Sequence, residues 1–380
     1  MSARTAGLFL LFAFVFAGSF ARAAVPVPAP PDVAAKNYIL VDYASGNVLA
    51  EKGADEPIEP ASITKLMTAY VVYHELAAGR LSEDDQVTIS EKAWRMGGSR
   101  MYLEVGSTVS VRELLKGLII QSGNDASVAL AEHIAGTEDA FVSLMNQYAA
   151  ALRMDSTHFV NCTGWPDKAH LSTARDIATL SRAIIREFPE HYKLYAEKEY
   201  TYNNIKQYNR NKLLWSDATV DGLKTGHTES AGYCLVASAK RADTRLISVV
   251  LGTKSKKARA SVSQALLNYG FRFYETHLLY SAGETLARPR IWKGELENVA
   301  VGLPQDLYIT IPRGAYKELN ASMDIDKTIE APVQKGDELG EVKIRLNGEL
   351  LDSTPLIALQ SVEKGNIIQV IKDYFLRLLE

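Results

Sequence analysis

Cysteine is nearly missing: the 380-residue chain has two, Cys162 and Cys234, far apart in sequence. That excludes a disulfide-built scaffold, and the two are expected to remain unpaired, as small semi-buried side chains. The seven histidines form no H-E-x-x-H run and no paired cysteines accompany them, so neither a metal nor a cofactor is expected. An excess of either charge is also lacking. The formal net charge is −3, which leaves no electrostatic footprint for a nucleic-acid partner. A permanent membrane span is lacking too, because the N-terminal apolar run, Leu8 to Ala17, falls short of the roughly 20 residues required.

What that run does resemble is the core of a secretory signal. Arg4 precedes it, and Ala21-Arg22-Ala23 offers small residues at both specificity positions of a cleavage site. Residues 1–23 are therefore read as a signal peptide, with the mature chain beginning near Ala24. The remaining composition, 47% hydrophobic and 23% charged, suits a globular chain large enough for two domains. Val25 to Pro31 alternates Val, Ala and Pro and reads as an extended spacer leading into the fold.

The hydropathy period then divides the chain. Tyr38 to Asp42 and Val48 to Lys52 flank Ala44-Ser45-Gly46-Asn47 and predict a β-hairpin. Helical spacing follows over Val111 to Ile120, Asn124 to Ala135, Glu138 to Met154 and Thr173 to Phe188, the last with Thr173 as N-cap and Asp176 three residues on. From Val220 the period is that of strands: Val220 to Gly226, Tyr233 to Ala239 and Thr244 to Thr253, the last two joined too tightly for a crossover. Ser263 to Glu275 reads as a closing helix. Residues 24–280 are thus expected to form one α/β unit, a mostly antiparallel sheet with a helical subdomain.

After about residue 280 short alternating runs predict a small all-β domain, 281–361, with Asn347-Gly348 as a hairpin turn. No cluster of titratable groups in it suggests chemistry, and a spacer or interaction role is expected. Residues 362–380 form a C-terminal amphipathic helix. Ile367, Ile368, Val370, Ile371, Tyr374, Phe375, Leu378 and Leu379 fall on one face, and Gln369, Lys372, Asp373, Arg377 and Glu380 on the other. Such a helix either packs on its own protein or lies in a bilayer interface; its terminal position and the Tyr-Phe pair favour the membrane surface.

Three short motifs carry the candidate chemistry. Ser62-x-x-Lys65 follows Pro60 at the start of a predicted helix, so i, i+3 spacing brings a hydroxyl beside an amine that, when neutral, can take its proton. Ser122-Gly123-Asn124 interrupts the helical pattern at a junction. Lys224-Thr225-Gly226 lies on a predicted strand, where the glycine would let a substrate backbone approach. Each motif alone is weak, and Ser361 to Lys364 repeats the first by chance. Their occurrence in this order on helix, loop and strand is not weak.

The trio, together with Ser90-Glu91-Lys92-Ala93-Trp94-Arg95, Ser172-Thr173-Ala174-Arg175-Asp176 and Val220-Asp221-Gly222-Leu223 running into Lys224-Thr225-Gly226-His227-Thr228, resembles the low-molecular-mass penicillin-binding proteins, the serine D-alanyl-D-alanine carboxypeptidases of peptidase family S11. The resemblance spans nearly the whole mature chain, and implies a β-lactamase/transpeptidase-like first domain. One departure is Thr163 before Gly164 and Trp165, where some members carry histidine. The resemblance implies that Ser62 attacks the carbonyl between two terminal D-alanines of a peptidoglycan stem pentapeptide, that Lys65 accepts its proton, and that Ser122 and its lysine neighbours protonate the leaving D-alanine. Asn124 would orient the substrate amide or Lys65, the backbone N–H groups of Ser62 and His227 would form the oxyanion hole, and β-lactams would inhibit. Desolvation and the second cation, Lys224, are expected to lower the Lys65 pKa. Thr225 and Arg259 would meet the terminal carboxylate, whereas Lys254, Lys256 and Lys257 are equally compatible with a solvated turn. For the His227 side chain, structure and catalysis both remain open. With a signal peptide and an amphipathic tail, the expected location is the bacterial periplasm, on the outer face of the inner membrane.

Three other readings compete. A class A β-lactamase would need a glutamate and, three residues on, an asparagine between the second and third motifs; His158 to Asp176 contains no Glu, and the pair Glu295 and Asn298 comes after the third motif. A non-catalytic wall-binding scaffold would tolerate an incomplete trio, and this trio is complete. Peptidoglycan endopeptidase activity uses the same groups. Preferred peptide length and oligomeric state are not encoded in any feature of the chain.

Overall fold

A computed structural model describes residues 26–377. The signal peptide 1–23, the expected mature start at Ala24, Val25 of the spacer, and Leu378, Leu379 and Glu380 of the C-terminal helix lie outside the described residues. The rest of the spacer passes alongside the first domain, where the Tyr269 hydroxyl donates to the Pro28 carbonyl over 2.9 Å.

The predicted hairpin is present as β1 (Asn37–Asp42) and β2 (Val48–Lys52), antiparallel, with every residue of β1 buried. A 3₁₀ turn, Ala61–Thr64, leads into α1 (Lys65–Ala77). Leu66, Met67, Ala69, Val71, Val72 and Tyr73 are all buried, so apart from the buried Lys65 and Thr68 the first two turns of α1 are apolar all round, as suits a helix inside the helical layer. Around it pack a small hairpin, β3 (Gln86–Thr88) with β4 (Thr108–Ser110), and helices α2 (Glu91–Arg95), α3 (Val111–Lys116), α4 (Asn124–Ala135), α5 (Glu138–Ala151), α6 (Ala174–Glu187) and α7 (Pro189–Tyr192). Thr173 caps α6 as expected, its hydroxyl accepting the Asp176 N–H at 3.1 Å.

The helix expected over Val111 to Ile120 breaks in two. After α3 the chain widens into a π turn, Gly117–Gln121, and Ser122 follows in the left-handed region at φ 66° and ψ 37°. Gly117, at its start, sits tight against Met101: a Cβ there would lie 2.3 Å from the Met101 sulfur. A second hairpin missing from the sequence reading, β5 (Glu199–Tyr202) with β6 (Ile205–Tyr208), precedes the short α8 (Leu213–Ser216).

The three predicted strands form β7 (Val220–Thr228), β8 (Gly232–Arg241) and β9 (Thr244–Thr253). The sheet order is β2-β1-β9-β8-β7 with all pairings antiparallel. Its Ile39, Val236, Ile247 and Val249 face the helical layer, and Leu40, Leu235, Leu246 and Val250 face α9 (Lys256–Phe273) on the other side. This helix starts seven residues before the expected Ser263. Lys256, Lys257 and Arg259 form its first turns, capped by Ser255, so the basic cluster is helical rather than a turn.

At Tyr274 the chain passes directly from α9 into β10 (Tyr274–Tyr280), which pairs with β13 (Leu307–Pro312). The changeover to the second unit therefore falls before residue 280, the expected boundary. Between them lie β11 (Ile291–Trp292) and β12 (Val301–Gly302), and beyond them β14 (Leu319–Ile325), β15 (Ile329–Glu330), β16 (Glu338–Leu346) and β17 (Glu349–Ala358). β16 and β17 meet at Asn347 and Gly348, both with positive φ, as the Asn-Gly turn requires. Two apolar clusters fill this all-β unit.

The two units share a hydrogen-bonded joint. Asp42, at the end of β1, accepts from the Thr276 hydroxyl at 2.7 Å, and the Ser45 and Thr310 hydroxyls lie 2.6 Å apart. At the chain's end α10 (Ile367–Arg377) rests on the all-β unit through Asp373, which takes the Lys293 N–H at 2.7 Å and pairs with Arg290 at 3.3 Å. Its apolar side faces outward: Ile367 and Ile368 are 79% exposed, Tyr374 and Phe375 61%. Among the described residues no helix is long and apolar enough to cross a membrane.

Candidate active site

The geometry begins at the 3₁₀ turn. Its tight winding leaves Ser62 half-buried and puts Lys65 at the first position of α1, where the amine is drawn back into the protein at 1% exposure. Lys65 Nζ lies 3.3 Å from Ser62 Oγ, 2.7 Å from Asn124 Oδ1 and 2.5 Å from the Thr163 carbonyl. Burial pulls its pKa down to about 7; the Arg210 charge pushes the same way, against opposing pulls from Cys162 and Asp125. The sequence reading assigned the second push to Lys224. Instead the order is reversed: Lys224 lies well below the ordinary lysine range through burial and then the charges of Lys65, Arg210 and Arg259. The two lysines cannot both be charged at low cost.

Ser122 and Asn124 are brought in by the π turn and the start of α4. Lys224 Nζ donates to Ser122 Oγ at 2.7 Å and to the Thr225 carbonyl at 3.1 Å. The left-handed backbone at Ser122 is a strained conformation for a residue with a side chain. Asn124 is held from both ends, by Lys65 on its oxygen and by the Gly97 carbonyl at 2.8 Å from its Nδ2; of its two expected roles, these bonds serve the orientation of Lys65. Next to it, buried Asp125 gathers the N–H groups of Met101, Tyr102 and Leu103 and so pins the segment that forms one wall. Asp125 was missed in the sequence; its signal was an acid in the first turn of a predicted helix.

β7 ends the sheet, and its alternation separates two environments. Lys224 and Gly226 pair across with Val236 and Cys234, which lie in the cluster on the helical side. Thr225 and His227 pair with Leu235 and Tyr233, on the α9 side. At Gly226 a Cβ would lie 3.1 Å from the Pro60 carbonyl and 3.2 Å from Ile63, so the missing side chain makes room for the Ser62 turn. Gly164 is tighter still: at φ +80°, its Cβ would fall 1.8 Å from the Ala61 carbonyl.

Arg259, 5% exposed on α9, donates through Nη1 to the Gly226 carbonyl at 3.0 Å and the Cys234 carbonyl at 3.3 Å. Burial lowers its pKa to about 10. Among the described residues no hydrogen bond from protein engages its Nε or Nη2, or the Thr225 hydroxyl. His227 is exposed, its ring 3.9 Å from that of Tyr233 between centroids. Thus hydrogen bonds join Ser62 and Asn124 to Lys65 in one set and Ser122 to Lys224 in a second, while Thr225, Gly226, His227 and Arg259 lie along the adjoining stretch of β7 and α9.

Behind the turn, His170 is buried and its pKa falls to about 4 by desolvation. Thr64 Oγ1 donates to the Ala61 carbonyl and Val160 N–H donates to His170 Nδ1, so the neutral ring presents its Nε2–H to Thr64 at 2.7 Å. Cys162 and Cys234 are free and buried. Ser361 belongs to the all-β unit, where its hydroxyl accepts from Lys335; Glu295 and Asn298 are in the same unit. Among the described residues no cluster of His, Cys, Asp and Glu could hold a metal ion.

Known proteins resemble this chain in sequence and fold. The family model for D-alanyl-D-alanine carboxypeptidase matches residues 24–255, and that for the penicillin-binding protein 5 C-terminal domain matches 274–364. D-alanyl-D-alanine carboxypeptidase DacA of Escherichia coli K12 is 44% identical over 92% of this chain and 88% of its own length. DacF of Bacillus subtilis is 36% identical over 89% and 88%. Among solved structures, penicillin-binding protein 5 of Haemophilus influenzae superposes with a TM-score of 0.86 at 42% identity, covering 89% of this chain and all (100%) of that one. With a family model over more than half its length and relatives of this identity along nearly all of it, the chain belongs to the D-alanyl-D-alanine carboxypeptidase family.

Proposed function

We infer that the protein removes the terminal D-alanine from peptidoglycan stem pentapeptides through an acyl-enzyme on Ser62, and that β-lactams acylate the same hydroxyl. The observation that carries this reading is the buried Lys65 amine, 3.3 Å from Ser62 Oγ with a pKa of about 7. An amine poised there is neutral in part at physiological pH and can take the serine proton as the C–O bond forms. The developing oxyanion is received by the backbone N–H groups of Ser62 and His227, from the 3₁₀ turn and the sheet edge. Ser122 and Lys224, 2.7 Å apart, pass a proton to the departing D-alanine. Thr225 and Arg259 take its carboxylate. Incubating the mature protein with a muramyl pentapeptide and weighing the product tests the reaction: loss of one alanine supports it, and cleavage at another bond or none refutes it.

The protein is exported and held on the outer face of the inner membrane by residues 362–380. Supporting this is the way α10 packs, polar Asp373 inward and Ile367, Ile368, Tyr374 and Phe375 outward. An apolar helical face presented to solvent at this length suits a bilayer interface.

A further inference from the structure

We propose that His170 and Thr64, which touch no substrate, are positioning residues for the oxyanion hole: through the Ala61 carbonyl they fix and polarise the Ala61–Ser62 peptide, whose N–H receives the developing negative charge. The inference rests on the carboxypeptidase reading and adds to it the source of that donor's strength.

The bonds run in one direction. Val160 N–H donates to His170 Nδ1 at 3.1 Å, so Nε2 carries the ring proton and donates to Thr64 Oγ1 at 2.7 Å. The Thr64 hydroxyl in turn donates to the Ala61 carbonyl at 2.8 Å. At the other end of that peptide stands the Ser62 N–H, which has no protein acceptor among the described residues. Every dipole in the chain therefore points its positive end toward the place where the oxyanion forms. Hydrogen bonds linked head to tail polarise one another, and more so out of water. Thr64 and His170 are both buried.

Where the turn stands is a matter of backbone, with Gly164 against the Ala61 carbonyl and Gly226 against Pro60. How its peptide is tilted is not. Ala61 sits at φ +49°, a strained region for a residue with a Cβ, so its carbonyl needs a partner to stay turned. The loop that supplies His170 has an exposed crown, Trp165 to Ala169, and buried feet at Gly164 and His170. It is stitched to the approach to the turn, Ile58 and Ser172 exchanging both backbone bonds at 2.8 and 3.0 Å. Phe159 meets the His170 ring edge-on, 5.6 Å between centroids. The same loop gives Lys65 the Thr163 carbonyl, so base and oxyanion donor take their orientation from one segment.

Filling this space does not by itself need a histidine. Apolar side chains of the same size would pack there without the cost of burying an imidazole and a hydroxyl, because a paired buried hydrogen bond contributes little net stability over a well-packed apolar pair. They could not bond the Ala61 carbonyl.

The test measures kcat and KM on a D-Ala-D-Ala peptide, together with inhibition by a peptidyl boronic acid whose tetrahedral Ser62 adduct puts an oxygen in the oxyanion hole. Thr64→Val keeps the shape and loses the donor. Its kcat should fall roughly 10- to 100-fold with KM changed less than about twofold, and the boronate should bind more weakly by a similar factor. Thr64→Ser, which keeps the hydroxyl, should hold kcat within about threefold of wild type. In the Thr64→Val/His170→Leu double variant no buried donor is left unpaired, and its loss should equal that of Thr64→Val alone, since the two act in series. The double variant carries the measurement should Thr64→Val fail to fold. A kcat or boronate affinity within about twofold of wild type in either variant overturns the relay alone, as does a Thr64→Ser loss as large as that of Thr64→Val. If wild type itself releases no D-alanine and does not bind the boronate, it is the carboxypeptidase reading that falls.

Discussion

Gly164 and Gly226, from a loop and from the edge strand, press on the same turn. A Cβ on Gly164 would fall 1.8 Å from the Ala61 carbonyl and 2.9 Å from the Ser62 nitrogen, and one on Gly226 would fall 3.1 Å from the Pro60 carbonyl. Ser62 is thus positioned by two backbones rather than by side chains. Gly164→Ala should therefore nearly abolish labelling by a fluorescent penicillin and cost at least about 2 kcal/mol of stability, since positive φ and a backbone clash act together. Gly226→Ala, with ordinary φ and looser contacts, should lose less of both. Labelling kinetics and chemical denaturation of the two variants check the order.

Acylation should rise with pH through about 7, the value to which burial brings Lys65. The sign follows from the role: below that pH the amine holds its proton and cannot accept another, above it the neutral base dominates. Linkage runs the same way, because a lysine with a depressed folded pKa binds fewer protons than the unfolded chain, so its burden on stability eases as pH rises above 7 toward the ordinary lysine range. The penicillin acylation rate against pH is the measurement. Lys65→Arg, charged at every accessible pH, should lose on the order of 10²–10⁴ in that rate.

Ser62→Ala should remove covalent labelling altogether and leave the fold intact, because the hydroxyl is half-buried and, among the described residues, bonds only to Lys65. Ser361→Ala should label like wild type. Mass spectrometry of the labelled protein distinguishes them.

Arg259→Ala should cut hydrolysis of a free-carboxylate D-Ala-D-Ala peptide by about 2–4 kcal/mol in transition-state stabilisation. It should also slow the matching peptide amide, to a smaller extent, since the guanidinium ties the Gly226 and Cys234 carbonyls together. The informative quantity is the ratio of kcat/KM for the two substrates. An equal loss on both would make Arg259 purely structural.

Deleting residues 363–380 should release the protein from membranes and leave peptide hydrolysis largely unchanged. Fractionation followed by an activity assay checks it, and sedimentation of the truncated protein with membranes would place the anchor elsewhere.

Much of the site was readable because its polar residues sit on short local spacings. Ser62 with Lys65, and Lys224 with Thr225, need only a helical turn or a strand to fall into place, and the cap at Thr173 and the turn at Asn347 are equally local. What escaped depends on contacts distant in sequence. Met101 packs against Gly117 where the π turn begins, and Gln207 of the hairpin β5–β6 reaches the same Met101, 106 positions away. The start of α9 was hidden by its own lysines, whose charge reads as loop although Ser255 caps a helix there. The closeness of Gly226 to the turn of Pro60 is likewise a contact that no local pattern encodes.

Between Phe273 and Tyr274 there is no linker: α9 ends and β10 begins, and the joint at Asp42, Thr276, Ser45 and Thr310 closes on the other side. Were the tail to lie at a bilayer, as proposed, the all-β unit would work as a strut instead of a tether. The cleft would then stand at a set height and aim above the lipid, and wall strands within that narrow shell would be the ones within its reach.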